Sequence, residues 1–238
     1  MKMLKRALYR VIEKAGYNIS RSEYYMLQRS LVHFGVDMII DIGANTGQFS
    51  QSMRSSGYKG NIVSYEPLLS AHEILIKKAL KDDKWHVAQR CAVGDVNKDI
   101  IINVSKNSVS SSVLPMLKTH SDVAISSVYV SKETVKMITL DSVFNEKEIK
   151  EKKIFIKIDT QGYEWQVLQG AQKIMPFVCG ILCEVSFIEL YEGQTMWLEI
   201  VEYMQRNQFE LWALYHGFSD KKIGRSLQMN AVFYKKNI

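Results

Sequence analysis

The sequence is short of the residues that mark several classes of protein. Its three cysteines are an odd number with no paired spacing, which argues against a disulfide framework. Cys91, Cys179 and Cys183 read instead as free thiols, and a reducing compartment follows. Three prolines and thirteen glycines leave little room for a disordered linker. No low-complexity tract and no internal repeat is visible. No stretch approaches the roughly 20 apolar residues that a membrane span needs. The N-terminus is charged but no apolar run follows it, which argues against a signal peptide. A cytoplasmic location is therefore expected.

What is present is an ordinary globular composition, 47% hydrophobic and 24% charged, over 238 residues. That length suits one sizeable α/β domain with a real core, or two small ones. The net charge is +6. A basic balance can serve nucleic acid, a membrane surface, an acidic substrate or simple solubility. Lys and Arg are spread along the chain except for Lys2, Lys5, Arg6, Arg10 and Lys14. Between these, Leu4, Ala7, Leu8, Val11, Ile12 and Ala15 fall at helical spacing. Such a helix either packs on the domain or makes peripheral contact with an anionic membrane. No basic stripe is interleaved with aromatics, so nucleic acid is not the expected partner. Residues 1–35 read as an N-terminal helical extension, with helices over 2–15 and 22–34, and 36–238 as the main domain.

From residue 36 short apolar runs alternate with helical segments. Strands are expected over 36–42, 61–65, 85–93, 100–105, 134–140, 154–159, 178–185, 209–215 and 229–234. Helices are expected over 46–56, 67–81, 164–171 and 195–206, with a short one from Asp141. This alternation implies βαβ units, hence a doubly wound, mostly parallel α/β sheet. The last two strands are joined without a helix, which permits an antiparallel final strand. In such sheets ligands bind at the carboxyl ends of the strands. Asp41, Glu66, Asp159 and Glu184 each fall at or just past a strand end, so four acidic groups should gather along that edge.

The turn Asp41-Ile42-Gly43-Ala44-Asn45-Thr46-Gly47 joins the first strand to a helix. Its glycines would permit a tight turn and a close ligand. It matches neither the G-x-G-x-x-G dinucleotide fingerprint nor the G-x-x-x-x-G-K-[ST] phosphate loop. Asp41 would repel a pyrophosphate but suit a ligand carrying a sulfonium and an ammonium. S-adenosyl-L-methionine is such a ligand, and the helix N-terminus can receive its carboxylate. Glu66, about 20 residues on, can accept ribose hydroxyls. Pro67 after it starts a helix and fixes the direction of the carboxylate.

With these residues the chain resembles the FkbM family of class I S-adenosylmethionine-dependent methyltransferases, which have a Rossmann-like fold and mostly methylate hydroxyl oxygens. The resemblance runs from about Gly16 to Tyr234. It is carried by the turn continued through Gln48-Phe49, by Tyr65-Glu66-Pro67-Leu68 and by Ala92-Val93-Gly94-Asp95. Further on come the motif from Lys157 to Glu164, Val167-Leu168-Gln169-Gly170-Ala171 and Leu190-Tyr191-Glu192-Gly193-Gln194. It implies a seven-stranded sheet with an antiparallel last strand. It implies cofactor contacts from Asp41, Gly43, Ala44, Asn45, Gly47, Phe49, Glu66, Pro67 and Asp159, with the adenine near Ala92 and Asp95. Asn230 stands where the family pattern usually has an acidic residue.

Methyl transfer from sulfonium to oxygen is a direct displacement that needs alignment and, for an alcohol, a base. Asp159 is the first candidate, Glu184 the second and His216 the third. Asp159 could equally cap the helix that begins near Tyr163. A divalent metal held by Asp159 and Glu184 is a variant that the sequence disfavours, because Val185 and Ser186 offer no second strong ligand. Residues 106–119, rich in serine, read as a substrate loop or lid. Tyr191, Trp197, Trp212, Tyr215 and His216 could line an acceptor pocket suited to a sugar ring. The expected function is methyl transfer to a hydroxyl of a small molecule or of a sugar or glycan. A nicotinamide-dependent oxidoreductase and a non-catalytic RNA-binding module of the same fold are the alternatives.

Overall fold

The computed structural model describes residue 14 and residues 21–236. The helix expected over 2–15, with its two readings, therefore lies outside the described residues but for Lys14. In chain order the strands are β1 (Met38–Ile42), β2 (Asn61–Tyr65), β3 (Trp85–Val87), β4 (Ala92–Val93), β5 (Lys98–Ser105), β6 (Tyr129–Ile138), β7 (Ile154–Ile158), β8 (Val178–Ser186), β9 (Phe209–His216), β10 (Ser219–Asp220), β11 (Arg225–Ser226) and β12 (Gln228–Lys235). The helices are α1 (Glu23–His33), α2 (Gln48–Ser55), α3 (Leu69–Ala79), α4 (Lys118–Ser121), α5 (Leu140–Val143), α6 (Glu146–Ile149), α7 (Glu164–Gln169) and α8 (Trp197–Arg206).

Seven strands form one sheet in the order β3-β2-β1-β7-β8-β12-β9. Every pair is parallel except those of β12, which runs antiparallel to both β8 and β9. This is the arrangement that the resemblance implies, seven strands with an antiparallel last one. The central strands β1 and β7 are buried at every position, as a sheet covered on both faces requires. Alternate residues divide between two cores. Ile40, Ile42, Ile156 and Ile158 face one side, while Ile39 and Phe155 face the other. Burying each such side chain contributes about 2 kcal/mol, so the middle of the sheet is its most firmly held part.

Three features depart from the sequence reading. The strand expected over 85–93 is two, β3 in the main sheet and β4 in a separate sheet of order β4-β6-β5. That second sheet closes a small core over Leu68, Ala92, Ile102 and Met137. Between β9 and β12 lies a short hairpin, β10 with β11, rather than a plain loop. Helix α1 also belongs to the main body. Leu27 and Leu31 lie in the core beside Ile39, and Ser30 Oγ meets Tyr234 OH at 2.8 Å.

Strand order reverses between β1 and β7. The turn after β1 and the loop after β7 thus face each other across the crevice where such sheets bind ligands.

Candidate active site

The turn after β1 has positive φ at every second residue, 71° at Gly43, 46° at Asn45 and 84° at Gly47. Glycine is needed at two of these positions because protein atoms fill the space that a side chain would take. A Cβ at Gly43 would collide with the Asp159 carbonyl, and one at Gly47 would lie 2.7 Å from the Trp85 ring. These glycines bring β1 against the loop after β7 and the helix start against β3. Asn45 adopts its strained conformation with local support: its Oδ1 accepts from Thr46 N at 2.9 Å and from Gln48 Nε2 at 3.2 Å.

Glu66 follows β2 and is 3% exposed, yet lines the cleft. Its two oxygens accept Asn45 N–H at 2.7 Å and Leu68 N–H at 2.9 Å. Burial raises its pKa to about 7, against the pull of those two amides. The carboxylate is therefore locked to the turn, with lone pairs left to accept hydroxyls.

Asp41 does not stand at an acidic entrance as the sequence suggests. It is fully buried under the turn, where Ser50 Oγ donates to Oδ2 at 2.8 Å and the Lys157 ammonium lies 3.2 Å from Oδ1. The two residues are cross-strand neighbours on β1 and β7. Lys157 also donates to the Gly43 carbonyl at 2.8 Å and lies 3.4 Å from Asp159 Oδ2. Burial by itself would lower the Lys157 pKa, but the carboxylates of Asp159 and Asp41 outweigh it and raise it. The acidic groups that do reach the cleft from the strand ends are Glu66 and Asp159.

Asp159 has a side chain 38% exposed and lies between Lys157 and Gln161, whose Nε2 donates to Oδ1 at 2.9 Å. It does not cap α7. Glu164 serves that turn instead, its Oε1 accepting from Thr160 N at 2.9 Å and Gly162 N at 3.1 Å. Gln161 Nε2 also donates to Glu184 Oε2 at 3.0 Å, so one amide bridges the two carboxyls. Burial, then the nearby Asp159 and Glu164 carboxylates, push the Glu184 pKa well up.

The cleft has a volume of about 380 Å³, within the range of small-molecule sites. Of the expected cofactor residues it is lined by Gly43, Ala44, Asn45, Phe49, Glu66, Pro67, Ala92 and Asp159. Asp41, Gly47, Asp95, Glu184 and His216 do not line it. Asp41 and Gly47 pack beneath the turn, Asp95 is exposed beyond β4, and Glu184 sits behind Gln161. His216 is exposed at the end of β9, where its N–H is held by Glu23 at 2.9 Å.

Leu68, Val93, Ile102, Val113 and Tyr163 make one end of the cleft mainly apolar, matching a purine face. At the other end stand Glu23, Tyr24, Gln48, Tyr215 and Asn230. Of the aromatics proposed for the acceptor, only Tyr215 is there. Tyr191 is wholly buried and hydrogen-bonded to Gln161 at 2.8 Å, Trp197 packs on Phe187, and Trp212 packs on Phe34. The serine-rich loop does reach the cleft, through Ser108, Val109, Ser111 and Val113. It is tied down at two points, by Asn45 Nδ2 to Ser108 Oγ at 3.2 Å and by Ser112 Oγ to the Gln161 carbonyl at 2.6 Å.

Lys157, Gln161 and Tyr163 fall within the motif from Lys157 to Glu164, whose pattern gives them no role of their own. Glu23 and Tyr24 had no local signal, because only the packing of α1 brings them to the cleft. The three cysteines are free and buried.

The residues fit S-adenosylmethionine on this structure's own terms. A buried carboxylate, Glu66, meets the turn, an apolar slot lies to one side, and Asp159 and Glu23 also line the cavity. The sequence profile described as the methyltransferase FkbM domain matches residues 41–211. Among solved structures, an rRNA methylase from Streptococcus thermophilus is 9% identical with a TM-score of 0.49, covering 91% of this chain and 98% of that one. A precorrin-6y C5,15-methyltransferase from Geobacter metallireducens GS-15 is 10% identical with a TM-score of 0.43, covering 91% and 90%. A comparison with curated proteins finds no match. The profile match decides against the nicotinamide and binding-module alternatives: the chain belongs to the FkbM family and is an S-adenosylmethionine-dependent methyltransferase.

Proposed function

We propose that the chain methylates a hydroxyl oxygen of a small molecule or of a sugar or glycan, with Asp159 as the base. The observation that carries this reading is the position of Asp159. Its half-exposed carboxylate lines the same cleft as the turn from Gly43 to Asn45 and as Tyr24, Tyr215 and Asn230. S-adenosylmethionine supplies an electrophilic methyl group when bound. The chain must orient the acceptor, exclude water and receive the hydroxyl proton. Glu66 and the turn from Gly43 to Asn45 would hold the nucleoside. Tyr24, Tyr215 and Asn230 would offer a ring-stacking face and hydrogen bonds to an oxygen-rich acceptor. A reducing, cytoplasmic setting fits the three free thiols.

Incubation with methyl-labelled S-adenosylmethionine and an extract of cellular glycans and small metabolites, read by mass spectrometry, tests the reading. A product heavier by one methylene, with the label on oxygen, is expected. Label on nitrogen or carbon would overturn it.

A further inference from the structure

The amide of Gln161 has an unusual set of duties. Its Nε2 carries two hydrogens, directed to Asp159 Oδ1 at 2.9 Å and to Glu184 Oε2 at 3.0 Å. Only the NH2 end of the amide can face two carboxyls, since the oxygen end would be repelled. The other end is fixed as well: Tyr191 OH donates to Oε1 at 2.8 Å. The backbone is pinned too. Gln161 has φ of 56°, and its carbonyl accepts from Ser112 Oγ at 2.6 Å. A strained backbone held from several sides is a feature of functional sites. Behind it, Gln228 Nε2 donates to Glu184 Oε2 at 3.0 Å, fixing the inner carboxyl.

Two carboxyls in one partly buried site tend to share a proton, which occupies the lone pairs of both. An amide donating to each one separates them. We propose that Gln161 is a positioning residue: it holds the Asp159 carboxylate toward the cleft and keeps it from sharing a proton with Glu184. This rests on the reading of Asp159 as the base. The charged and titratable groups around the pair are Lys157 on β7, Asp41 on β1, Glu164 on α7, Cys183 on β8, and Tyr191. Burial and the neighbouring Asp159 and Glu164 carboxyls oppose ionisation of Glu184.

The test needs no acceptor. S-adenosylmethionine and S-adenosylhomocysteine differ by one methyl group and one positive charge. The ratio of their dissociation constants therefore reads negative charge beside the sulfur. Titration of Glu66 acts on the ribose common to both ligands and drops out of the ratio. Calorimetry across pH should show Gln161→Leu losing preference for the cation by about five-fold or more at the acid end of the range, and regaining it as rising pH removes the shared proton. Tyr191→Phe, which keeps the amide but frees it to turn, should show a smaller loss of the same sign. Asp159→Asn sets the scale of a complete loss. If Asp159→Asn lowers the ratio while Gln161→Leu and Tyr191→Phe keep the wild-type ratio at every pH, the positioning role is overturned. Weaker binding of both ligands with an unchanged ratio would mark Gln161 as merely structural. An unchanged ratio in Asp159→Asn would remove the base assignment and this inference with it.

Discussion

Asp41 and Lys157 stand opposite each other at the carboxyl ends of β1 and β7, their charged atoms 3.2 Å apart and both side chains buried. The pair ties together the two strands between which the sheet reverses order. The Lys157 ammonium also binds the Gly43 carbonyl, so the cofactor turn rests directly on it. Removing one partner leaves the other charge buried and uncompensated, at a cost of about 3–5 kcal/mol. Lys157→Met should therefore lower the melting temperature by on the order of 10 °C. Adding Asp41→Asn should recover part of that loss, because the stranded charge goes with it. Thermal unfolding of the two single variants and the double variant checks this. Strictly additive losses would show that the pair is not coupled.

Glu66 should make cofactor binding depend on pH. The ionised carboxylate is the stronger acceptor for hydroxyls, and burial raises the pKa to about 7. Affinity for S-adenosylhomocysteine should then rise as pH increases from about 6 to about 8. Glu66→Ala removes a charged acceptor whose hydrogen bonds are each worth about 1.5–3 kcal/mol, so binding should weaken about 10- to 100-fold. Calorimetry at two pH values, on the wild type and the variant, measures both effects. Unchanged affinity in the variant would exclude Glu66 from the site.

Glu164 supplies a stability prediction of the opposite sign to the usual carboxylate. Its folded pKa is raised to about 7 by burial, from an ordinary 4.5. The folded chain therefore holds this proton where the unfolded chain has lost it. Stability from this group is full below pH about 4.5 and declines as pH rises through about 7, by about 3 kcal/mol in all. Glu164→Gln keeps the Oε1 acceptor for Thr160 and Gly162 but cannot ionise. It should match the wild type near pH ~5 and exceed it near pH ~8 in urea unfolding. A variant less stable than wild type at both values would contradict this.

The sheet was legible from the chain because its strands are short apolar runs ended by glycine or acid. The cofactor turn was legible from its glycines and Glu66 from its spacing. Direction was not legible. Asp41 sits in β1 with its side chain on the same face as Ile39, and which face meets the cleft depends on what packs there. His216 does not line the cleft for the same reason, since a strand end fixes height along the sheet but not the side on which a side chain emerges. Tyr24 could not be found from sequence, because α1 reaches the cleft only by packing Leu27 and Leu31 against the face of the sheet that carries Ile39 and Phe155.

Asp159 separates binding from chemistry. Asp159→Asn keeps the shape of the side chain and can still accept one hydrogen bond, but it cannot take a proton. Turnover on the acceptor recovered by mass spectrometry should fall by about 10²- to 10⁴-fold, the usual contribution of a positioned base. Affinity for S-adenosylhomocysteine, which carries no sulfonium charge, should change only about two- to three-fold. Glu184→Gln provides the contrast. Glu184 sits behind Gln161 and does not line the cleft, so its loss should reduce turnover far less. Equal losses in the two variants would mean that the pair acts as one unit. A larger loss in Glu184→Gln would move the base from Asp159 to the inner carboxyl.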